Sequence, residues 1–427
     1  KPFVPLPRAT PGGKLAATGT VRPEHQDTEV TILVPDLLYH DGRFVTGHAL
    51  AMDPRTGRIT RVGPVDEVIG DGGDDIVERL PGRALMPGFV NAHSHAFQRL
   101  IRGRTQWRPA SEPKADFWSW REAMYDAALT LSPEDVYAVS RFCFLEMLKA
   151  GITSVGEFHY LHRDVDGAPY ADPNELAHRV IAAAEDVGIR IVLLNVCYAR
   201  GGIGIPLHEE QRRFATPDLD AFLAETGDLA DAYKDAPLVA VGVAPHSVRA
   251  VPREWLAPLH AWAAEHDVAY HIHAAEQPRE VEECEISYRL RPVELLAAEG
   301  VMDGRLTVVH ATHLIPDEIA LLGDSGAVVC ACPTTERDLG DGFLHGALLL
   351  DAGGAIALGT DSHTMIDPFA EMRLLEYHER LRRLRRVVLA VPGEDDRLEC
   401  APLLMECGTA IGARSLRLDA GTLGEGA

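Results

Sequence analysis

Short runs of apolar residues recur along most of the chain, each closing on a polar cluster and followed by a longer amphipathic stretch. The runs cover 84–95, 152–160, 189–198, 239–246, 269–276, 306–313, 327–335 and 355–363. A near-continuous apolar run of that length reads as a strand covered on both faces. The stretches between them read as helices, for example 133–149 with Ser132 as N-cap, 174–187 and 252–266. Strands alternating with helices form a parallel sheet, and eight such units predict an α/β fold of the (β/α)8 TIM-barrel type. Upstream, residues 29–85 alternate short apolar runs with turn signals such as Asp53-Pro54-Arg55-Thr56-Gly57, which predicts a small β unit with hairpins. Residues 1–28 are rich in Pro, Gly and Thr, show no period, and predict an extended arm. The predicted organisation is thus an arm over 1–28, a small β domain over 29–85 and the barrel over 86–407.

Composition narrows the class without changing this picture. Of 427 residues, 46% are apolar and 25% charged, which is ordinary for a globular protein. No apolar run approaches the ~20 residues that cross a bilayer, and the first residues, Lys1-Pro2-Phe3-Val4-Pro5, do not read as a secretory signal. The net charge of −23 makes nucleic acid and anionic lipid poor partners. The arginine cluster Arg380, Arg382, Arg383, Arg385 and Arg386 runs against that trend and reads as a solvated helix face with leucines turned inward. Seven scattered cysteines in so long a chain predict a reducing, cytoplasmic setting without disulfides. Cys330 and Cys332 read as small buried barrel residues.

The chemistry is concentrated where a barrel keeps its sites, at the C-terminal ends of the strands. The eight ends read His-Ser-His, Glu-Phe-His-Tyr, Cys-Tyr-Ala-Arg, Pro-His-Ser, His-Ala-Ala-Glu, His-Ala-Thr-His, Pro-Thr-Thr-Glu and Asp-Ser-His. About half of the 19 histidines fall there. His93 and His95 lie two apart, so strand geometry points both to one face. With His273 on the fifth strand and Asp361 on the eighth they form a donor set of three imidazoles and one carboxylate, suited to an open catalytic metal site. Glu276, three residues after His273, can carry a proton, and His310 at the end of strand six can orient or deprotonate water.

The run Pro87-Gly88-Phe89-Val90-Asn91-Ala92-His93-Ser94-His95, with the late Gly359-Thr360-Asp361-Ser362, resembles the amidohydrolase superfamily over nearly the whole chain. That resemblance implies a metal-dependent barrel and a small β-sandwich-like domain built from both chain ends, here completed by about 408–427. Binuclear members carry a bridging lysine on strand four. This chain has Ala244-Pro245-His246-Ser247 there, which is similar to the mononuclear deaminase branch and implies His93, His95, His273 and Asp361 as ligands. One Zn2+ per chain is implied, with Fe2+ as the alternative.

A finer resemblance is to the formimidoylglutamate deiminases. It is carried by His95-Ala96-Phe97-Gln98-Arg99, Phe117-Trp118-Ser119-Trp120-Arg121, Gly156-Glu157-Phe158-His159-Tyr160, Ala244-Pro245-His246-Ser247-Val248-Arg249, His271-Ile272-His273-Ala274-Ala275-Glu276-Gln277 and Pro333-Thr334-Thr335-Glu336. It implies catalytic roles for Glu276, His310 and Asp361. It also implies a dicarboxylate substrate, held by Arg121 and Arg249 with Gln98, Tyr160 and His246, and a homodimer. A guanidinium pairs bidentately with a carboxylate, which suits both arginines to that task. The rival is a deaminase of a nucleobase or triazine ring, which would share the metal residues but has no need of two arginines. A barrel that has lost activity would usually have lost a ligand as well, and none is missing here.

Overall fold

The computed structural model describes residues 30–70, 75–111 and 114–427, so the arm expected over 1–28 lies outside the described residues. Five strands form the small sheet: β1 Thr31–His40, β2 Arg43–Val45, β3 His48–Met52, β4 Ile59–Pro64 and β5 Ile76–Leu85. The order is β2-β1-β3-β4, with β5 parallel to β1 on its other edge. A short helix, Val65–Ile69, covers a satellite core of Ile32, Val34, Ala49, Ala51 and Val68.

Eight parallel strands follow: β6 Phe89–Ser94, β7 Ile152–His159, β8 Arg190–Cys197, β9 Val239–Pro245, β10 Tyr270–Ala274, β11 Leu306–His310, β12 Val328–Ala331 and β13 Ala355–Leu358. They lie side by side in chain order, and each matches one of the eight apolar runs. Helices cover the outside, because strands this apolar need cover on both faces. The helix Pro133–Lys149 starts where the sequence predicts: Ser132 Oγ accepts the Asp135 N–H at 3.2 Å, and Asp135 reciprocates as a capping box. The barrel interior is filled by small side chains, among them Ala92, Val309, Val328, Cys330, Cys332 and Ala357.

The last and first strands meet through a single bridge, Ser94 to Asp361. At the opposite end, the helix Ala410–Ser415 plugs the barrel: His271 Nε2–H donates to the Ser415 carbonyl at 2.8 Å. Of residues 408–427, expected to complete the small domain, this part is therefore helix beneath the barrel. The final two residues reach the small sheet, where Ile59 N–H donates to the Ala427 carbonyl at 2.9 Å and Gly426 N–H to the Ile59 carbonyl at 2.7 Å.

Other expectations fare unevenly. All seven cysteines are unpaired. No helix among the described residues is long and apolar enough to cross a membrane. The arginine cluster ends the helix Pro368–Arg383, where Arg380 pairs with Glu376 and Arg382 and Arg383 with the buried Glu379. Its leucines do not turn inward: Leu381 and Leu384 are 75% and 90% exposed, because the buried carboxylates occupy the inner face.

Candidate active site

Barrel closure itself places the central residues. Asp361 N–H donates to the His93 carbonyl at 3.0 Å and His95 N–H to the Asp361 carbonyl at 3.1 Å, so the seam between β6 and β13 carries three polar side chains into the mouth. The approach is close enough to demand glycine at 359, where a Cβ would lie 2.8 Å from His93 Cβ. Asp361 and His310 take left-handed backbone, with φ of 46° and 73°. Such conformations cost about 1–3 kcal/mol each and cluster at functional sites.

Three imidazoles converge. His93 Nε2 is 3.1 Å from the Nε2 atoms of both His95 and His273. Asp361 Oδ1 is 3.3 Å from His95 Nε2 and 3.5 Å from His93 Nε2. A carbonyl only accepts, so His95 Nδ1 must donate to Phe158 O (2.9 Å) and His273 Nδ1 to His246 O (2.8 Å). Both rings therefore present an Nε2 lone pair to the cluster. Burial, reinforced for His93 and His273 by the neighbouring imidazoles, holds the pKa of all three rings below the ordinary value and so keeps them neutral. His93 Nε2 faces both of these lone pairs and can donate a proton to at most one of them, which leaves the other to a cation. The N3O set therefore fits one divalent metal with a position left open.

A proton-handling group lies beside this cluster. Glu276, just beyond β10, has Oε1 3.6 Å from His310 Nε2 and Oε2 3.3 Å from Arg249. Burial raises its pKa to about 7. His310 is opposed by burial, but Glu276, a hydrogen bond to Glu336 and Asp361 outweigh that and hold its pKa well above the ordinary value. Its Nδ1 is 3.3 Å from Glu336 Oε1 and its Nε2 3.8 Å from Asp361 Oδ2. Parallel pairing of β10 with β11 sets Ala274 beside His310, which brings these groups together.

Above the cluster opens a cavity of about 520 Å3, including its mouth, lined by every candidate residue except His93, which sits deeper in the barrel. Gln98 Nε2 donates to Tyr160 Oη at 2.8 Å, while its buried Oε1 has no partner among the described residues. His246 is packed against Tyr198, ring centroids 4.5 Å apart, and Tyr160, 5.4 Å. Arg121 lies on the helix Phe117–Ala128 and not in a loop. Its guanidinium stacks 4.5 Å from Trp118 and 5.4 Å from Tyr125. Among the described residues no carboxylate pairs with it. Arg249 differs: it is buried, 3.3 Å from both Glu276 and Glu280.

A further layer of buried polar residues lies behind the ligands. The Ser94 hydroxyl bonds the buried carboxyl of Glu157, whose Oε1 also accepts the Ala96 N–H at 2.7 Å. Ser94 Oγ lies 2.9 Å from His363 Nε2, and His363 Nδ1 lies 2.9 Å from Thr360 Oγ1, which is tied to Asn91 at 2.7 Å. Burial pushes Glu157 up to about 8 and His363 down to about 3. This network fixes the turn that presents His95. The only signal for it was position, since Glu157 and His363 both stand at strand ends.

A family model described as the amidohydrolase family matches residues 84–427. The chain is 40% identical over 369 residues to a formimidoylglutamate deiminase from Pseudomonas aeruginosa, covering 86% of this chain and 80% of that one. Among solved structures it is similar to an amidohydrolase from Brucella melitensis (35% identity, TM-score 0.83, 93% and 85% of the two chains). It is also similar to an adenosine deaminase from Xanthomonas campestris with bound zinc (26% identity, TM-score 0.75, 93% and 82%).

Proposed function

The chain belongs to the amidohydrolase family, and we propose that within it this protein hydrolyses N-formimino-L-glutamate to N-formyl-L-glutamate and ammonia. The observation that carries the reading is the 40% identity to the deiminase. It agrees with a cavity that joins the N3O cluster at its floor to an arginine in its wall that no carboxylate among the described residues pairs with. An adenosine or triazine ring offers no carboxylate to such a cation, so the nucleobase reading is the weaker.

His93, His95, His273 and Asp361 would hold one metal, zinc in our reading. Bound there, it would act as a Lewis acid that makes water nucleophilic near neutral pH. The chain's own residues do the rest. Glu276, with its pKa near 7, is poised to take a proton and pass it to the departing nitrogen at the same pH. His310, with Glu276, Glu336 and Asp361 around its ring nitrogens, orients the attacking water. Arg249 fixes the Glu276 carboxylate from behind and balances the charge of Glu280. Arg121 is left to bind a substrate carboxylate, with the Trp118 and Tyr125 rings holding its guanidinium in place. Gln98 Oε1 accepts a substrate N–H, and Tyr160 and His246 shape the wall around the formimino group. Steady-state assay of ammonia release from N-formimino-L-glutamate, beside adenosine and cytosine, tests the reading. Turnover of the ring substrates alone would overturn it. A place in histidine breakdown, a cytoplasmic setting and a homodimer accord with this activity and belong to the same proposal.

A further inference from the structure

Asp361 turns its two carboxylate oxygens to different neighbours. Oδ1 faces His93 and His95 at 3.5 and 3.3 Å, while Oδ2 faces His310 Nε2 at 3.8 Å. On the Oδ2 side lies a third potential donor. Ligand atoms of His310, Cys332 and Asp361 all fall within 4.8 Å of one another, and all three residues are buried. Cys332 stands where β12 gives way to the helix Pro333–Leu339. Cys330 points the same way two residues earlier, but it belongs to no such group among the described residues. Cys332 also borders the first cluster: a Cβ at Gly359 would meet His93 Cβ at 2.8 Å and Cys332 Sγ at 3.0 Å.

We propose that His310, Cys332 and Asp361 form a second, softer metal site that binds a thiophilic divalent cation, excess Zn2+ or Cd2+, and inhibits the enzyme. The inference rests on the reading above, in which the first cluster holds the working metal. A thiolate, an imidazole and a carboxylate oxygen suit zinc-like cations, whereas Mg2+ and Ca2+ avoid sulfur. Tetrahedral ligation draws ligand atoms to roughly 3.3–3.8 Å of one another, given metal–ligand bonds of ~2.0–2.3 Å. One carboxylate can serve two ions, one on each oxygen, and Asp361 already presents its oxygens that way. Binding exchanges the Cys332 S–H proton and the proton carried by His310 for the metal, with both released to solvent. It also takes His310 away from Glu276, only 3.6 Å distant, which explains inhibition.

The test titrates the one-metal enzyme with Cd2+ and, separately, with Co2+ as a spectroscopic probe. Stoichiometry is read by equilibrium dialysis with elemental analysis, thiolate coordination by its charge-transfer absorption, and activity in parallel. Wild type should bind a second equivalent, show the thiolate band and lose activity reversibly on chelation. Cys332→Ala should keep the first equivalent, lose the second and its band, and need at least ~10-fold more Cd2+ for inhibition, since even an outer-shell partner is worth ~10–100-fold in affinity. Cys330→Ala should behave as wild type. A wild-type protein that saturates at one equivalent without a thiolate band overturns the second site even if Cys332→Ala fails to fold. So does an undiminished second equivalent in Cys332→Ala. Absence of a first equivalent or of deiminase activity would instead overturn the reading it rests on.

Discussion

Replacing Arg121 by Ala separates substrate binding from chemistry. The guanidinium lines the cavity, stacks on Trp118 and Tyr125, and has no carboxylate partner among the described residues. Removing it strands no buried anion. The fold should therefore lose only the cation–π contact, about 0.5–1 kcal/mol. The substrate loses far more. A hydrogen bond to a charged group is worth about 1.5–3 kcal/mol, and 1.36 kcal/mol is tenfold in rate. The expected fall in kcat/KM on N-formimino-L-glutamate is thus ~10- to 150-fold. Arg121→Lys should recover part of it, since the charge remains but the planar fork does not. The assay compares N-formimino-L-glutamate, its shorter aspartate analogue and a formimino amine without carboxylates, in wild type and variants. Only substrates whose carboxylate reaches Arg121 should suffer. An equal loss on the carboxylate-free formimino amine would refute the clamp and return Arg121 to a packing role.

Three further outcomes follow from the geometry. Glu276→Gln should retain the metal by elemental analysis yet lose ~10²–10⁴-fold in kcat, the range for a general acid–base group; near-normal turnover across pH would refute its role. Arg249→Leu leaves the Glu276 and Glu280 carboxylates buried without their cation, so denaturant unfolding should show about 3–5 kcal/mol of lost stability, with kcat/KM falling on every substrate alike. Glu371 is buried against the Thr334 N–H and hydroxyl, and burial raises its pKa to about 8. A carboxyl whose folded pKa lies above its unfolded value stabilises below the unfolded pKa and loses that contribution as pH climbs to the folded one. Glu371→Gln mimics the protonated acid, so its stability relative to wild type should rise by about 1.4 kcal/mol per unit between pH 5 and 8; a flat difference would contradict the assignment.

Much of this site was legible because barrels put chemistry at strand ends, where polar clusters interrupt apolar runs. His93, His95, His273, His310 and Asp361 could be singled out that way, and the strand count followed from the same runs. What stayed hidden depends on neighbours far apart in sequence. The two arginines look equivalent along the chain, yet the turn after β9 buries Arg249 between Glu276 and Glu280, while Arg121 on its helix stacks on Trp118 and meets no carboxylate among the described residues. Ser94 reads as a spacer between two histidines, but the pairing of β6 with β7 lays it against Glu157. Cys330 on β12 and Cys332 just past its end look alike along the chain, and only the barrel seam decides that Cys332 borders His93 and Asp361. Helix or strand in 408–427 was likewise a matter of tertiary cover, since Ala410–Ser415 is held by His271 from beneath the barrel.

The most direct test of the account is product analysis on purified enzyme carrying one equivalent of zinc, with N-formimino-L-glutamate and adenosine offered at equal concentration. The first should give stoichiometric ammonia and N-formyl-L-glutamate, the second negligible inosine, and His93→Ala should lose both metal and turnover. Inosine formation in preference to N-formyl-L-glutamate, or full turnover in a metal-free His93→Ala protein, would contradict it.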